Sequence, residues 1–314
     1  MLATFESILP IFLLIVAGVV LRRLPIVDQG AWPGLEQLGF WFLYPTLLFT
    51  TILRADFSGL RLDALLLALL LSIAVMAGFA LALWPPLRRL RLATGPEFSS
   101  IFQTSLRWNG FMALAVAEKL FPPAGAAVVA LVMAAIIIPI NVMSVAVVIR
   151  FSDRGGGGNW AHVARSIAIN PLVLASLAAI GLRVVPWELY SPIGQTLDLV
   201  GRAALGMGLI TIGAGLRVGD MATARLALWL PVFLKLCFFP VLLIGLALAF
   251  GIRGQELQYV ALCAAVPTAL NGYLLARQLG GDAELYAAIA TLQTALSFLT
   301  IPAVLMATRY IASG

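Results

Sequence analysis

The chain has 314 residues, of which 62% are hydrophobic and 11% are charged, and its mean hydropathy is +1.03. A soluble domain with this composition would lack polar surface, so we expect an integral membrane protein. The net charge of +6 is explained by membrane topology and gives no reason to expect nucleic-acid binding. Both cysteines fall in apolar segments, which indicates neither a disulfide framework nor a metal site.

Ten apolar segments are each roughly 20 residues or longer, enough to cross the hydrocarbon core as helices. They cover residues 4–21, 34–53, 62–86, 97–120, 124–150, 162–182, 191–216, 222–250, 255–279 and 283–310. The first contains Glu6 with no basic residue before it, so it is interpreted as a retained span and not as a signal peptide. With the amino terminus outside, the inner loops hold eleven basic residues and the outer side holds six. The positive-inside rule therefore predicts that both termini are outside.

The two halves of the chain are related by an internal repeat. The stretch LEQLGFWFL starting at Leu35 recurs as LDLVGRAAL starting at Leu197, and the Asn-Gly pair at Asn109 recurs at Asn271. Both recurrences have the same shift, 162 residues, which is typical of a repeat architecture. Because each unit holds five spans, the second unit enters the membrane from the opposite side, and the two are inverted copies.

The repeat predicts how the chain is divided. The first inverted repeat covers 1–150, a cytoplasmic linker with a run of four glycines covers 151–161, and the second repeat covers 162–314. The glycine run is not interpreted as a phosphate-binding loop, because no strand precedes it and no Lys-Ser/Thr follows it. Inverted repeats supply two equivalent arrangements, open to either side, and place the site near the midplane at interrupted helices.

The fourth span of each unit carries the predicted interruption. In the second unit, Pro267 removes a helix hydrogen bond and the Asn-Gly pair at Asn271 weakens the next turn. In the first unit, the pair at Asn109 occupies the matching position, and Arg107 precedes it. Two such breaks facing each other would aim backbone N–H groups and helix dipoles at one point, which favours an anion.

Arg107 is the strongest single candidate, because a charge at the bilayer centre normally faces a cavity or a partner. Its guanidinium matches a carboxylate in two-point geometry. The alternatives are a structural ion pair or an interfacial arginine, with which the neighbouring Trp108 is compatible. The expected substrate-binding residues are Arg107, Asn109, Gly110, Thr268, Asn271 and Gly272, the expected crossover positions are Ser105 and Pro267, and the further lining candidates are Gln103, Asn141 and Gln293.

Three other charged residues are candidates for ion coupling or charge compensation. Lys235 is deep in the eighth span, where it offsets a carboxylate such as Asp198 or helps to switch the site. Asp198 is four residues before Arg202, so pairing along one helix face is the favoured interpretation. Glu36 is the third candidate, and the sequence leaves open whether protons, sodium or no ion drives the protein. No metal or other cofactor is expected.

The chain resembles the auxin efflux carrier family, including its bacterial members, along essentially its whole length. The resemblance rests on the order and spacing of ILPIFLLIVAGVVLRR, FLYPTLLF, SLRWNGF, INPLVLASLAAIGL, the eighth span with Lys235, and VPTALNGYLLARQLGGDAEL. Eighteen arginines against two lysines are typical of a GC-rich bacterial genome and fit a bacterial inner membrane.

The resemblance implies an all-α fold of ten transmembrane helices, similar to that of bile acid symporters and sodium/proton antiporters, with crossed, broken fourth and ninth helices. It implies a scaffold of spans 1, 2, 6 and 7, which is the expected homodimer contact, and a transport domain of spans 3–5 and 8–10. It further implies small organic anions as cargo, auxin or dicarboxylates, with Asn109 and Asn271 facing the carboxylate. Ser105 stands where the plant carriers have a first crossover proline, so the sequence leaves open whether the fourth helix unwinds fully.

We therefore predict an elevator-type secondary transporter of small carboxylates. The alternatives on the same fold are a channel, a sensor or a membrane-embedded enzyme. An enzyme is disfavoured because the sequence contains no His cluster, Gly-x-Ser-x-Gly motif or paired acids of familiar spacing. Substrate identity and the direction of transport are not fixed by the sequence.

Overall fold

The computed structural model describes residues 2–54, 61–152, 168–169, 171–184, 189–216, 226–270 and 272–313. Within these ranges the regular structure is helical and contains no strand, which confirms the all-α class. Residues 153–161 of the expected linker and the candidate Asn271 lie outside the described residues.

The helices overlap all ten predicted segments. In the first half they are α1 (Leu2–Arg23), α2 (Ala31–Leu38), α3 (Tyr44–Leu53), α4 (Leu62–Ala82), α5 (Trp84–Arg89), α6 (Gly95–Leu106), α7 (Gly110–Leu120) and α8 (Pro123–Phe151). In the second half they are α9 (Pro171–Val184), α10 (Ser191–Gly215), α11 (Leu226–Phe233), α12 (Phe239–Ala249), α13 (Gly254–Ala265), α14 (Gly272–Leu279) and α15 (Ala283–Ser313).

Among the residues that the structure describes, five helical stretches are long and apolar enough to cross a membrane. They are Leu62–Arg89, Pro123–Phe151, Ser191–Gly215, Leu226–Ala249 and Ala283–Ile311. These lengths support a multi-pass membrane protein. The arrangement of ten spans as inverted repeats stays a prediction.

Two of the predicted spans contain, within the described residues, a π-helical turn that ends two residues before a proline. Residues Gly39–Leu43 join α2 to α3, and Leu234–Phe238 join α11 to α12. The N–H of Tyr44 bonds to the carbonyl of Gly39, five residues back. The next residue in each case, Pro45 or Pro240, has no N–H to continue the ladder. The wider turn therefore absorbs the missing bond and keeps the helix continuous.

The closest helix packing joins α1 to α10. A Cβ on Gly18 would overlap the carbonyl oxygen of Ile210, and a Cβ on Gly213 would overlap the carbonyl oxygen of Ile15. Only glycine allows the two backbones to approach this closely. The helix α3 packs against both α9 and α10, so helices of the first, second, sixth and seventh predicted spans contact one another.

The other helices pack mainly among themselves, with α4 against α12 and α6 against α8 and α11. One contact between the two groups is the stack of the Tyr44 and Phe111 rings, whose centroids lie 3.6 Å apart at an angle of 25°. Tyr44 is on α3 and Phe111 is on the first turn of α7. The division into scaffold and transport domains stays a prediction.

Candidate functional site: the crossing of two broken helices

The fourth predicted span is broken between α6 and α7. The N–H of Arg107 still bonds to the carbonyl of Gln103 at 2.8 Å, but Arg107 itself is extended, with φ −61° and ψ 152°. The side-chain oxygen of Asn109 accepts a bond from the N–H of Met112 at 3.1 Å and caps the start of α7. An asparagine cap thus lets the helix restart without a proline.

The ninth predicted span is broken between α13 and α14. Val266 is extended, with φ −71° and ψ 148°. This conformation is favoured before Pro267, because the proline ring clashes with a helical preceding residue. Local sequence therefore causes this break, whereas the first break needs a partner from elsewhere in the fold.

That partner is the ninth span itself. The backbone N–H of Asn109 donates to the carbonyl oxygen of Pro267 over 2.7 Å. The two breaks are thus in direct contact, and each satisfies a backbone group that the other leaves open. The helices α7 and α14 both begin at this crossing, at Gly110 and Gly272, so each starts where its helix dipole favours negative charge.

Arg107 lies inside the protein beside the crossing. Its side chain is 6% exposed, so the guanidinium does not extend to the protein surface as an interfacial arginine would. One terminal nitrogen donates to the side-chain oxygen of Asn141 on α8 at 3.0 Å. A charge at the bilayer centre costs about 3 kcal/mol on insertion scales. A hydrogen bond to a charged group returns about 1.5–3 kcal/mol of this.

Tyr286, on α15, belongs to the site and was not identified from the sequence. Its ring is fully buried, and its hydroxyl donates to the carbonyl of Ala269 at 2.6 Å and lies 3.3 Å from the hydroxyl of Thr268. A Cβ on Gly272 would overlap the Tyr286 ring, so glycine is required there. In the sequence, Tyr286 lies seven residues, or two helical turns, before Gln293. This spacing is the signal that places both side chains on one face of α15.

Gln293, in the tenth predicted span, connects the two breaks to the eighth span. Its side-chain oxygen accepts from the N–H of Thr268 at 2.9 Å, and its side-chain nitrogen donates to the carbonyls of Thr104 at 3.1 Å and Pro231 at 3.0 Å. One buried amide therefore binds both interrupted spans and the eighth span. These bonds describe a residue that joins helices, and the expected role of Gln293 in lining the site stays a prediction.

Lys235 lies in the π-helical turn of the eighth span and is fully buried. Its ammonium has no hydrogen-bond partner within the described part of the chain and lies 4.3 Å from the centroid of the Phe239 ring. A desolvated cation–π contact of this kind contributes about 2 kcal/mol. The expectation that Lys235 offsets a carboxylate such as Asp198 is not met in this structure.

Asp198 instead forms an ion pair with Arg54, at 2.6 Å. The favoured pairing of Asp198 with Arg202 was therefore wrong, because packing of α3 against α10 brings a closer cation from another helix. Half of the Arg54 side chain is exposed, so this pair lies at the protein surface. Glu36 is also exposed, on α2, and the described contacts do not join it to the crossing.

The remaining candidates differ in how their polar groups are used. The hydroxyl of Ser105 donates to the carbonyl of Ile101 within its own helix, at 2.8 Å. The amide of Gln103 is fully buried, and neither its oxygen nor its nitrogen is paired among the described residues. Gln103 lies one turn before Arg107, on the same side of the chain. Across the described residues, no group of His, Cys, Asp and Glu has a metal-binding arrangement.

The chain matches one family profile and is similar to two transporter-named proteins. The profile of a family described as "Membrane transport protein" matches residues 160–305. An uncharacterized transporter of Methanothermobacter thermautotrophicus is 23% identical over 304 residues, which cover 95% of this chain and 96% of that protein. A putative malonate transporter of Rhizobium meliloti is 27% identical over 148 residues, which cover 47% of this chain and 46% of that protein.

Proposed function

We propose that this chain is a membrane transporter of the auxin efflux carrier family, not an enzyme, and that it carries small organic anions by alternating access. The cargo class we propose is small carboxylates. The similarity to a protein named as a putative malonate transporter supports this class, although it covers less than half of either chain.

The contact between Asn109 and Pro267 carries the proposal. It brings the two helix breaks together at 2.7 Å, with a buried arginine next to them. Interrupted helices whose N-termini meet inside a membrane protein are typical of substrate sites for anions. An aqueous channel would not need a buried cation beside such a crossing.

The anion would be bound by donors from both repeats. In our proposal the Arg107 guanidinium binds the carboxylate in two-point geometry. The side-chain oxygen of Asn109 is occupied by the helix cap, so its NH2 group faces the cargo. Asn271, which lies outside the described residues, supplies the matching amide from the second repeat. The unpaired amide of Gln103 adds a further donor beside Arg107.

Charge explains why the carrier would move when loaded. The cargo carboxylate offsets the buried charge of Arg107, so the loaded site is less costly to hold in a low-dielectric environment than the empty one. We propose that spans 3–5 and 8–10 move past spans 1, 2, 6 and 7, in the elevator manner. The scaffold forms the contact of a homodimer in the bacterial inner membrane, with both termini in the periplasm. We propose that the protein has no cofactor. If transport is coupled to an ion, the candidates are a proton and sodium.

Thermal unfolding of the purified full-length protein with a panel of carboxylates tests the proposal. A ligand at 100 times its Kd stabilises the folded state by about 2.7 kcal/mol. We expect one or a few carboxylates to raise the Tm of the wild type, and we expect Arg107→Ala and Asn271→Ala to lose the shift. Arg107→Lys keeps the charge and removes the planar fork, so it separates charge from geometry.

Two results would overturn this assignment. One is the failure of every carboxylate to stabilise the wild type. The other is a shift that survives both alanine substitutions, which would make Arg107 a structural residue and put the cargo elsewhere. Uptake of a stabilising carboxylate into proteoliposomes, with saturation, distinguishes a carrier from a channel or a sensor.

A further inference from the structure

Lys235 is a second buried cation, and the crossing does not use it. Among the described residues, Arg107 and Lys235 are the charged side chains that are buried. The guanidinium of Arg107 bonds to Asn141, whereas the three N–H donors of Lys235 have no acceptor in the described part of the chain. The Phe239 ring covers one side of the ammonium and offers no lone pair.

The Lys235 side chain lines a small cavity that adjoins the broken fourth span. Leu106 and Trp108, which flank Arg107, form part of the wall, and Cys263 contributes from α13. The other lining residues are Phe239 of α12 and four aliphatic side chains of α4 and α8. The cavity has room for one water or one monatomic ion.

The charge of Lys235 favours an anion in this cavity. The rest of the wall is almost wholly apolar, and Trp108 and Cys263 are the other lining residues that carry a donor group. The aliphatic walls exclude water, so the field of the ammonium is weakly screened there. A buried ammonium without an acceptor is costly, and an anionic group within hydrogen-bond distance removes that cost.

The π-helical turn directs Lys235 to this place. Gln293 donates to the carbonyl of Pro231, the group that the N–H of Lys235 would bind in a regular α-helix. That carbonyl is thus engaged from α15, and the chain widens over Leu234–Phe238, where Lys235 lies. The same amide that joins the two helix breaks therefore also connects them to Lys235.

We propose that Lys235 and this cavity form a second anion subsite, next to Arg107, that takes one anionic group. The group is either a small inorganic ion or a second carboxylate of the cargo. In the first case it occupies the cavity as described. In the second case the wall at Leu106 and Trp108 opens with the fourth-span break. Only the second source rests on the proposed function.

Thermal unfolding with three probes separates the sources. Sodium bromide tests the inorganic ion. Malonate and monomethyl malonate, which differ by one carboxylate charge, test the cargo. The variants are Lys235→Met, Lys235→Gln as a second neutral replacement, and Lys119→Met, which removes the same charge from an exposed position. An apolar side chain of similar length at a buried charge is usually tolerated, and elution as a single species confirms the fold of each variant.

Either of two results supports the subsite. Bromide stabilises the wild type with saturation, and Lys235→Met and Lys235→Gln lose this response while Lys119→Met keeps it. Alternatively, the wild type prefers malonate to monomethyl malonate by about tenfold, as expected for one additional charge pair, and the Lys235 variants lose the preference.

The proposal is overturned if bromide responses of the wild type and the Lys235 variants coincide and the preference for malonate is unchanged. Failure of the proposed function gives a different pattern. If bromide acts through Lys235 and no carboxylate stabilises the wild type, the subsite stands and the cargo assignment fails. If carboxylate binding depends on Arg107 while Lys235 variants behave as wild type, the cargo assignment stands and the subsite fails.

Discussion

The backbone N–H of Asn109 donates to the carbonyl of Pro267, so each helix break completes the hydrogen bonding of the other. The bond connects residues from opposite halves of the chain. It couples the two breaks, since displacement of one leaves a buried backbone group unpaired in the other. The following four predictions test what this coupling requires.

Substitutions at Asn109 separate its role as a helix cap from its role as an anion donor. Asn109→Ser keeps an oxygen that caps α7, so we expect little loss of stability and complete loss of the carboxylate-induced rise in Tm. Asn109→Ala removes the cap as well, so we expect it also to lower the free energy of unfolding by about 1 kcal/mol. Thermal unfolding with and without carboxylate measures both quantities. Retention of the full shift in Asn109→Ser would remove the amide from the binding site.

Gln293→Leu leaves the N–H of Thr268 and the carbonyls of Thr104 and Pro231 without their partner. Each unpaired buried group costs about 1–3 kcal/mol, so we expect a marked fall in Tm. Gln293→Glu preserves the acceptor for Thr268 and loses both donated bonds. The exposed Gln37→Leu is the matched control. A Tm of Gln293→Leu equal to that of Gln37→Leu would contradict the connecting role.

Gly272→Ala places a methyl group against the Tyr286 ring. Overpacking of this kind costs about 1–3 kcal/mol, and we expect loss of stability together with loss of transport. The second change Tyr286→Phe removes the hydroxyl, the closest atom, and recovers part of the loss. In contrast, the methyl group of Gly78→Ala, in helix α4, would meet no atom within 4 Å. We expect this substitution to stabilise the folded protein by up to about 1 kcal/mol, because alanine favours a helix more than glycine does. Equal effects at both glycines would show that the contact with Tyr286 is unimportant.

Exchange and net flux in proteoliposomes test the charge argument for Arg107. If cargo offsets the buried charge, exchange is faster than net efflux, because only net efflux requires the empty carrier to return. Arg107→Gln removes the charge, so it lowers affinity and brings the two rates closer together. Radiolabelled carboxylate measures both rates in one preparation. Wild-type rates that are equal would contradict the role of the resident charge.

The sequence predicted the interruptions better than the side-chain contacts. The two Asn-Gly pairs and Pro267 marked both breaks, because asparagine and glycine weaken a helix and proline interrupts its hydrogen bonding. The depth of Arg107 followed from the apolar residues around it, and its burial is confirmed. Whether the fourth span unwinds without a proline depended on Pro267 of the other half, which no local signal in the fourth span contains.

The errors concern pairings between helices that are distant in sequence. Asp198 and Arg202 have the spacing of a helical ion pair, yet Arg54 is the partner, because α3 and α10 pack together. Tyr286 was missed because a single tyrosine in an apolar span is usually packing or an interfacial anchor. Its role depends on Gly272, which is on another helix.

The stack of Tyr44 on Phe111 is one place where α3 and α7 are in contact. The movement that we propose would have to displace this stack. Translation of α7 by one helical turn, about 5.4 Å, would bring Leu114 or Ala115 opposite Tyr44 in place of Phe111. Neither side chain has an aromatic ring, so the two positions of α7 would differ in how firmly they pack against α3.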